Sequence, residues 1–182
     1  MANKRRTFAQ LIIGVSGVTY MINQTESKKV RYEMRNEIEN IIKEYGIDRT
    51  KFYEVAKNRY QEVIHKLYYS FCDYQKYPTI QLAYMWTRFR KELNRTDSIK
   101  TNWRDWKNYI SSIDDLVPER NLMAYYYLIV DGGWIYEGRL DEIKKVLFEY
   151  PISMDDFYLF PKDYSWLINH CDDGACMYRV WK

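Results

Sequence analysis

The apolar residues of this chain change period once, near residue 120, and that change most constrains its fold. Up to about residue 117 they recur three and four apart, the spacing of one helix face. From Leu122 they gather into short β-rich runs separated by turns rich in Gly, Pro and Asp. The pattern predicts an α+β chain, with helices first and a small antiparallel sheet packed on a helix last. At 182 residues there is room for one domain, or for a small module joined to a medium one.

The C-terminal third gives the sharpest expectations. Ala124–Val130 and Trp134–Tyr136 flank Asp131-Gly132-Gly133, a hairpin signal. Leu140, Ile143, Val146 and Leu147 mark a helix that stops before Pro151. Phe157–Phe160, Tyr164–Ile168 and Ala175–Trp181 read as strands, giving the order β-β-α-β-β-β.

The middle reads as helical. Asp48 or Thr50 can cap a helix carrying Phe52, Val55, Ala56, Val63, Ile64, Leu67, Tyr68 and Phe71 on one face, broken by Pro78. Thr79 can cap a second, with Leu82, Trp86, Phe89 and Leu93 at helical spacing. Ile99, Trp103, Trp106, Ile110 and Ile113 repeat as a third. The aromatics fall on apolar faces and are expected in the core; stacking on nucleic acid beside Arg88, Arg90 and Arg104 is the sharper alternative.

Phe8–Ile22 follows Lys4-Arg5-Arg6 and superficially resembles a signal peptide. It is 15 residues long, about 22 Å as a helix against a hydrocarbon core of ~30 Å, and two glycines interrupt it. Two short helices, Phe8–Ile13 and Gly17–Gln24, around a Gly14-Val15-Ser16 turn account for it better. A third helix carries Val30, Met34, Ile38, Ile41, Ile42 and Tyr45 on one face, with Gly46 placed to end it. Three such helices make a helix-turn-helix architecture.

Thr7, Gly14-Val15-Ser16, Thr19, Asn23-Gln24, Val30, Arg35, Ile38, Glu44 and Ile47 form an ordered set that resembles the headpiece of lac-repressor-type regulators, over roughly residues 5–48. The resemblance implies double-stranded DNA as partner and a homodimer on paired half-sites. Phosphate contacts are expected from Lys4, Arg5, Arg6, Lys28, Lys29 and Arg31, and groove contacts from Ser16, Thr19, Tyr20, Asn23 and Gln24. The divisions expected are 1–48 helix-turn-helix, 49–117 helical and 118–182 an α+β partner-binding region. Near the end, Trp166-Leu167 and Asn169-His170-Cys171-Asp172 faintly resemble small bacterial domains of unknown function.

Charge follows the same division. Residues 1–118 hold 21 Lys/Arg against 14 Asp/Glu, net +7; residues 119–182 hold 7 against 11, net −4. A basic front suits a polyanion and an acidic back a different partner. Joining a helix-turn-helix to an unrelated domain is similar in architecture to two-domain anti-CRISPR proteins. That likeness implies a repressor of a phage or mobile element that also inhibits a CRISPR nuclease or another protein target. The main expectation is a DNA-binding (auto)repressor with a C-terminal protein-binding domain; the alternative is an inhibitor or immunity protein acting by protein–protein binding.

No Gly-rich phosphate loop and no Gly-x-Ser-x-Gly elbow occurs, and two histidines leave little for Ser/His or Cys/His chemistry, so no enzyme is expected. Cys72, Cys171 and Cys176 make an odd count, read as reduced thiols in a cytoplasmic chain. His170, Cys171, Asp172, Asp173 and Cys176 are ligand-type residues without paired zinc-site spacing, so no metal, cofactor or membrane partner is expected. The 19 tyrosines are favoured on binding surfaces as well as inflated by AT-rich coding.

Overall fold

A computed structural model describes residues 14–15, 18–19, 27–96, 99–100, 103–118, 121, 123–151, 154, 156–171 and 176–182. Among these residues an antiparallel sheet is covered by helices on both faces, an α+β fold.

The sheet grows from the predicted C-terminal strands. β6 (Tyr125–Val130) and β7 (Trp134–Arg139) pair in a hairpin with Val130 opposite Trp134. Its turn needs φ of 79° at Gly132 and 77° at Gly133, a region that glycine enters without a Cβ penalty. β8 (Phe157–Pro161), β9 (Trp166–Cys171) and β10 (Cys176–Trp181) complete the series on the other side of β6. Three short strands extend it. β3 (Phe52–Glu54) adds to β7 at one edge, and β4 (Asn94–Arg95) and β5 (Ile99–Lys100) add to β10 at the other. The order is β3-β7-β6-β8-β9-β10-β4, with β5 also on β10. The sheet is larger than expected because the middle of the chain supplies both edges.

Alternation along the strands sorts side chains to two cores. Leu128, Val130, Tyr136, Phe157, Leu159 and Ile168 face one way. They meet α1 (Ser27–Glu44), α3 (Trp106–Ser111), α4 (Ile113–Leu116) and α5 (Leu140–Glu149) through Ile38, Ile110, Ile113 and Val146. Tyr127, Ile129, Ile135, Tyr158, Phe160 and Leu167 face the other way, against α2 (Tyr60–Phe71) and residues 72–93. Each buried Phe, Leu or Ile side chain contributes roughly 1.5–3 kcal/mol.

Of the face expected on α1, Met34, Ile38, Ile41 and Ile42 are buried, whereas Tyr45 is exposed. The helix ends at Glu44 and is closed by Gly46, whose φ is 60°. Ile47 N–H donates to Ile42 C=O at 2.9 Å and Gly46 N–H to Lys43 C=O at 3.4 Å, a Schellman closure with both isoleucines buried. Residues of α1, α3 and the C-terminal strands share one core.

Three central helices change form. Asp48 does not cap a long helix; it accepts from Thr50 N–H at 2.8 Å in a local turn. The next residues become β3, whose Phe52 stacks on Tyr136 with centroids 5.1 Å apart, so tertiary packing overrides the helical period. Helix resumes at Tyr60. The helix expected from Thr79 to Leu93 is a loop with one 3-10 turn, Met85–Arg88, entered through Tyr84 at φ 54°. The third is shortened to α3 and α4, because Ile99–Lys100 is drawn onto β10.

At the N-terminus β1 (Gly14–Val15) and β2 (Val18–Thr19) form a two-stranded antiparallel ladder, Gly14 opposite Thr19. Val18 and Thr19 are therefore extended, where a helix was expected from Gly17, and β-branched residues favour that state. Phe8–Ile13 and the rest of the expected helix pair lie outside the described residues.

Candidate functional site

α2 buries Val63, Ile64, Leu67, Tyr68 and Phe71 against the sheet. Its helical period therefore turns His65 and Tyr69 away from that core. Tyr69 meets Tyr74, from the loop that follows, edge to face at 4.9 Å, and His65 meets Tyr69 edge to face at 6.0 Å. Tyr69 is 47% exposed and Tyr74 44%. Edge-to-face pairs hold both rings in one geometry while leaving their outer faces to solvent.

The loop beneath them is tied down. Tyr68 hydroxyl donates to Tyr77 C=O at 2.8 Å, and Arg88 Nη1 donates to Thr79 C=O at 2.8 Å. Asp73 N–H donates to Arg88 C=O and Arg90 N–H to Phe71 C=O, each at 2.9 Å, so two segments zip together at the end of α2. Burial holds the Tyr68 hydroxyl above the usual tyrosine range, against the opposing pull of Arg88. Tyr77 carries cations: Lys76 Nζ sits 5.1 Å and the Arg88 guanidinium 5.5 Å from its ring centroid. The hydrogen bond to Tyr77 raises the Lys76 ammonium pKa. Tyr84, half exposed, is fixed through its N–H to Asp156 Oδ2 at 3.2 Å. The result is a tyrosine surface presented from a braced scaffold.

Of the DNA-contact residues expected from sequence, Lys28, Lys29 and Arg31 fall in the first turns of α1 and Thr19 in β2. Lys4, Arg5, Arg6, Ser16, Tyr20, Asn23 and Gln24 lie outside the described residues. His170, a ligand-type residue by sequence, is buried between Phe157 and Trp106. Among the described residues no group of three or more His, Cys, Asp or Glu is placed to hold a metal, and no helix is long and apolar enough to cross a membrane. Sequence reasoning missed Tyr69 and Tyr74. Their only signal was position: Tyr69 falls off the apolar stripe of its helix.

A family of unknown function (DUF6756) matches residues 30–181, and the chain belongs to that family. No curated protein and no solved structure matches it. The match begins inside α1 and runs through both edges of the sheet, so it takes in the whole of the two-faced core.

Proposed function

We propose that this DUF6756 member is a binding module rather than an enzyme, gripping a partner protein through Tyr69, Tyr74 and Tyr77. The observation that carries the reading is the exposed, edge-to-face Tyr69–Tyr74 pair on the outward side of α2. Tyrosine supplies large contact area at low entropic cost, and aromatics are enriched at the centres of protein interfaces. Lys76 and Arg88 beside Tyr77 add cationic edges suited to a polar rim. The inhibitor and immunity readings of the sequence both fall within this function.

A photo-crosslinking residue at position 69 tests it in the organism of origin. One discrete protein adduct is expected, absent when the same residue replaces exposed Lys43 on α1. With that partner purified, Tyr69→Ala with Tyr74→Ala should weaken binding at least 30-fold, about 2 kcal/mol, as loss of a hot spot requires. Equal adducts at both positions would sink the reading.

DNA binding by the N-terminal segment is a second proposal, supported by the +7 of residues 1–118. Duplex DNA should bind with a steep salt dependence, the logarithmic slope losing about 0.9 for each phosphate contact removed among Lys4, Arg5 and Arg6. A salt-insensitive isotherm would end that proposal.

A further inference from the structure

The end of the sheet on the α2 side carries an arrangement that the tyrosine surface does not use. Tyr53, Glu137 and Tyr127 stand opposite one another on β3, β7 and β6, with Phe160 next on β8. Glu137 is only 3% exposed. Its Oε1 accepts the Tyr53 hydroxyl at 2.8 Å and the Lys162 ammonium. Two residues along the strands, on the same face, Arg139 stands opposite Tyr125. The Arg139 guanidinium lies 5.7 Å from the Tyr125 centroid, and Lys162 Nζ lies 5.8 Å from it and 5.9 Å from that of Tyr127. Arg59 donates to the Tyr127 hydroxyl at 3.2 Å.

Three cations thus gather at two tyrosines, Arg139 and Lys162 over their rings and Arg59 at the Tyr127 hydroxyl, with the buried Glu137 carboxylate holding Lys162. Glu62, 3.9 Å from Arg59, is half exposed and also pairs with Lys66, so it offsets little of that charge. Arg139 keeps a buried Nε with no hydrogen-bond partner among the described residues. Lys162 is half exposed and follows the last residue of β8, so its ammonium can turn from Glu137 toward a ligand. Excess positive charge excludes a cationic ligand, and guanidinium forks with a mobile ammonium suit an oxyanion.

We propose that Arg139, Lys162 and Arg59, beside Tyr125 and Tyr127, form a binding site for a phosphate-type oxyanion. Glu137 is its internal competitor, holding Lys162 until the ligand arrives.

Inorganic phosphate titrated into the full chain, followed by calorimetry and by the ring signals of Tyr125 and Tyr127, tests the site. Saturable binding is expected, weakened at least tenfold by Arg139→Gln and by Lys162→Gln and unchanged by the remote Lys43→Gln. Glu137→Gln should tighten binding severalfold, a sign opposite to that of a structural acid that orders the site. If Glu137→Gln does not fold, the Arg139→Gln and Lys162→Gln comparison decides alone. Shifts that do not saturate, or that survive both substitutions, overturn the proposal. Acetate binding as tightly as phosphate overturns the assignment to a phosphate-type group.

Discussion

Phe157 and His170 stand opposite each other on β8 and β9 and stack face to face, centroids 5.3 Å apart and planes 6° from parallel. Trp106 of α3 closes the group with its edge, 5.0 Å from His170 and 6.0 Å from Phe157. Its indole N–H donates to Leu147 C=O at 2.8 Å, so one side chain joins α3, α5 and the sheet. Trp106→Ala should cost about 3–5 kcal/mol, a large part of a typical domain's stability. Trp106→Phe keeps a ring but orphans the Leu147 carbonyl, and should cost about 1–3 kcal/mol. Urea unfolding followed by circular dichroism measures both; a Trp106→Phe midpoint equal to that of the unaltered chain would refute the role given to the N–H.

Gly138 is fixed by close approach rather than by backbone angle. A Cβ there would lie 2.6 Å from Phe52 Cδ2 and 2.9 Å from the Lys51 carbonyl oxygen. The ring could give way only by leaving its stack on Tyr136. Gly138→Ala should therefore cost about 1–3 kcal/mol, the range for overpacking a core. It should also loosen β3 from β7, raising hydrogen exchange at Val55 N–H, which donates to Ile135 C=O at 2.9 Å. Unchanged exchange there would argue against a steric role.

The sequence was most readable where period and turn chemistry agreed. Asp131-Gly132-Gly133 announced the β6–β7 hairpin, and Leu140, Ile143, Val146 and Leu147 announced α5. It misled where a segment of mixed period found a sheet edge. Phe52 and Val55 fit a helical stripe, yet Phe52 gains a stack on Tyr136, 84 residues away in sequence, which no local window contains. Ile99 was lost to β10 for the same reason. The candidate surface was legible only by subtraction, as tyrosines left off a stripe. The Arg139–Tyr125–Lys162 row depends wholly on strand register, which sequence does not print.

The outward tyrosines should contribute modestly to folding. Tyr69 and Tyr74 leave nearly half of their area in solvent, and the contact between them is one edge-to-face pair. Such a pair is worth about 0.5–1.5 kcal/mol beyond the area it buries, so Tyr69→Ser with Tyr74→Ser should lower stability by about 1–3 kcal/mol. Tyr68→Phe on the inner side should cost a similar amount while removing a single oxygen, because it strips the donor from Tyr77 C=O. Thermal denaturation of both variants checks the contrast. A double-serine variant that unfolds would mean that these rings serve the core, and the binding reading would lose its main support.

Stability should fall on the alkaline side. Burial, followed by the hydrogen bond to Glu137, pushes the Tyr53 hydroxyl up to about 12. Burial likewise pushes the Cys72 thiol up to about 12 and raises Tyr60, Tyr136 and Tyr164 above their ordinary range. Each group is neutral when protonated, so a raised folded pKa means the folded state holds its proton longer than the unfolded one. Below about pH 8 both states keep these protons and no pH dependence arises. Above it the unfolded chain releases them first, and stability declines from about pH 8.5, where thiols ionise, through pH 10 and on toward 12. Urea midpoints should drop steadily across that window, and Cys72 should resist alkylation at pH 8.5 until the chain unfolds. Tyrosinate absorbance should rise in two stages, with Tyr53, Tyr60, Tyr136 and Tyr164 holding their protons until the chain unfolds. A single reversible stage near pH 10 covering every tyrosine would contradict the burial of Tyr136 and Tyr164.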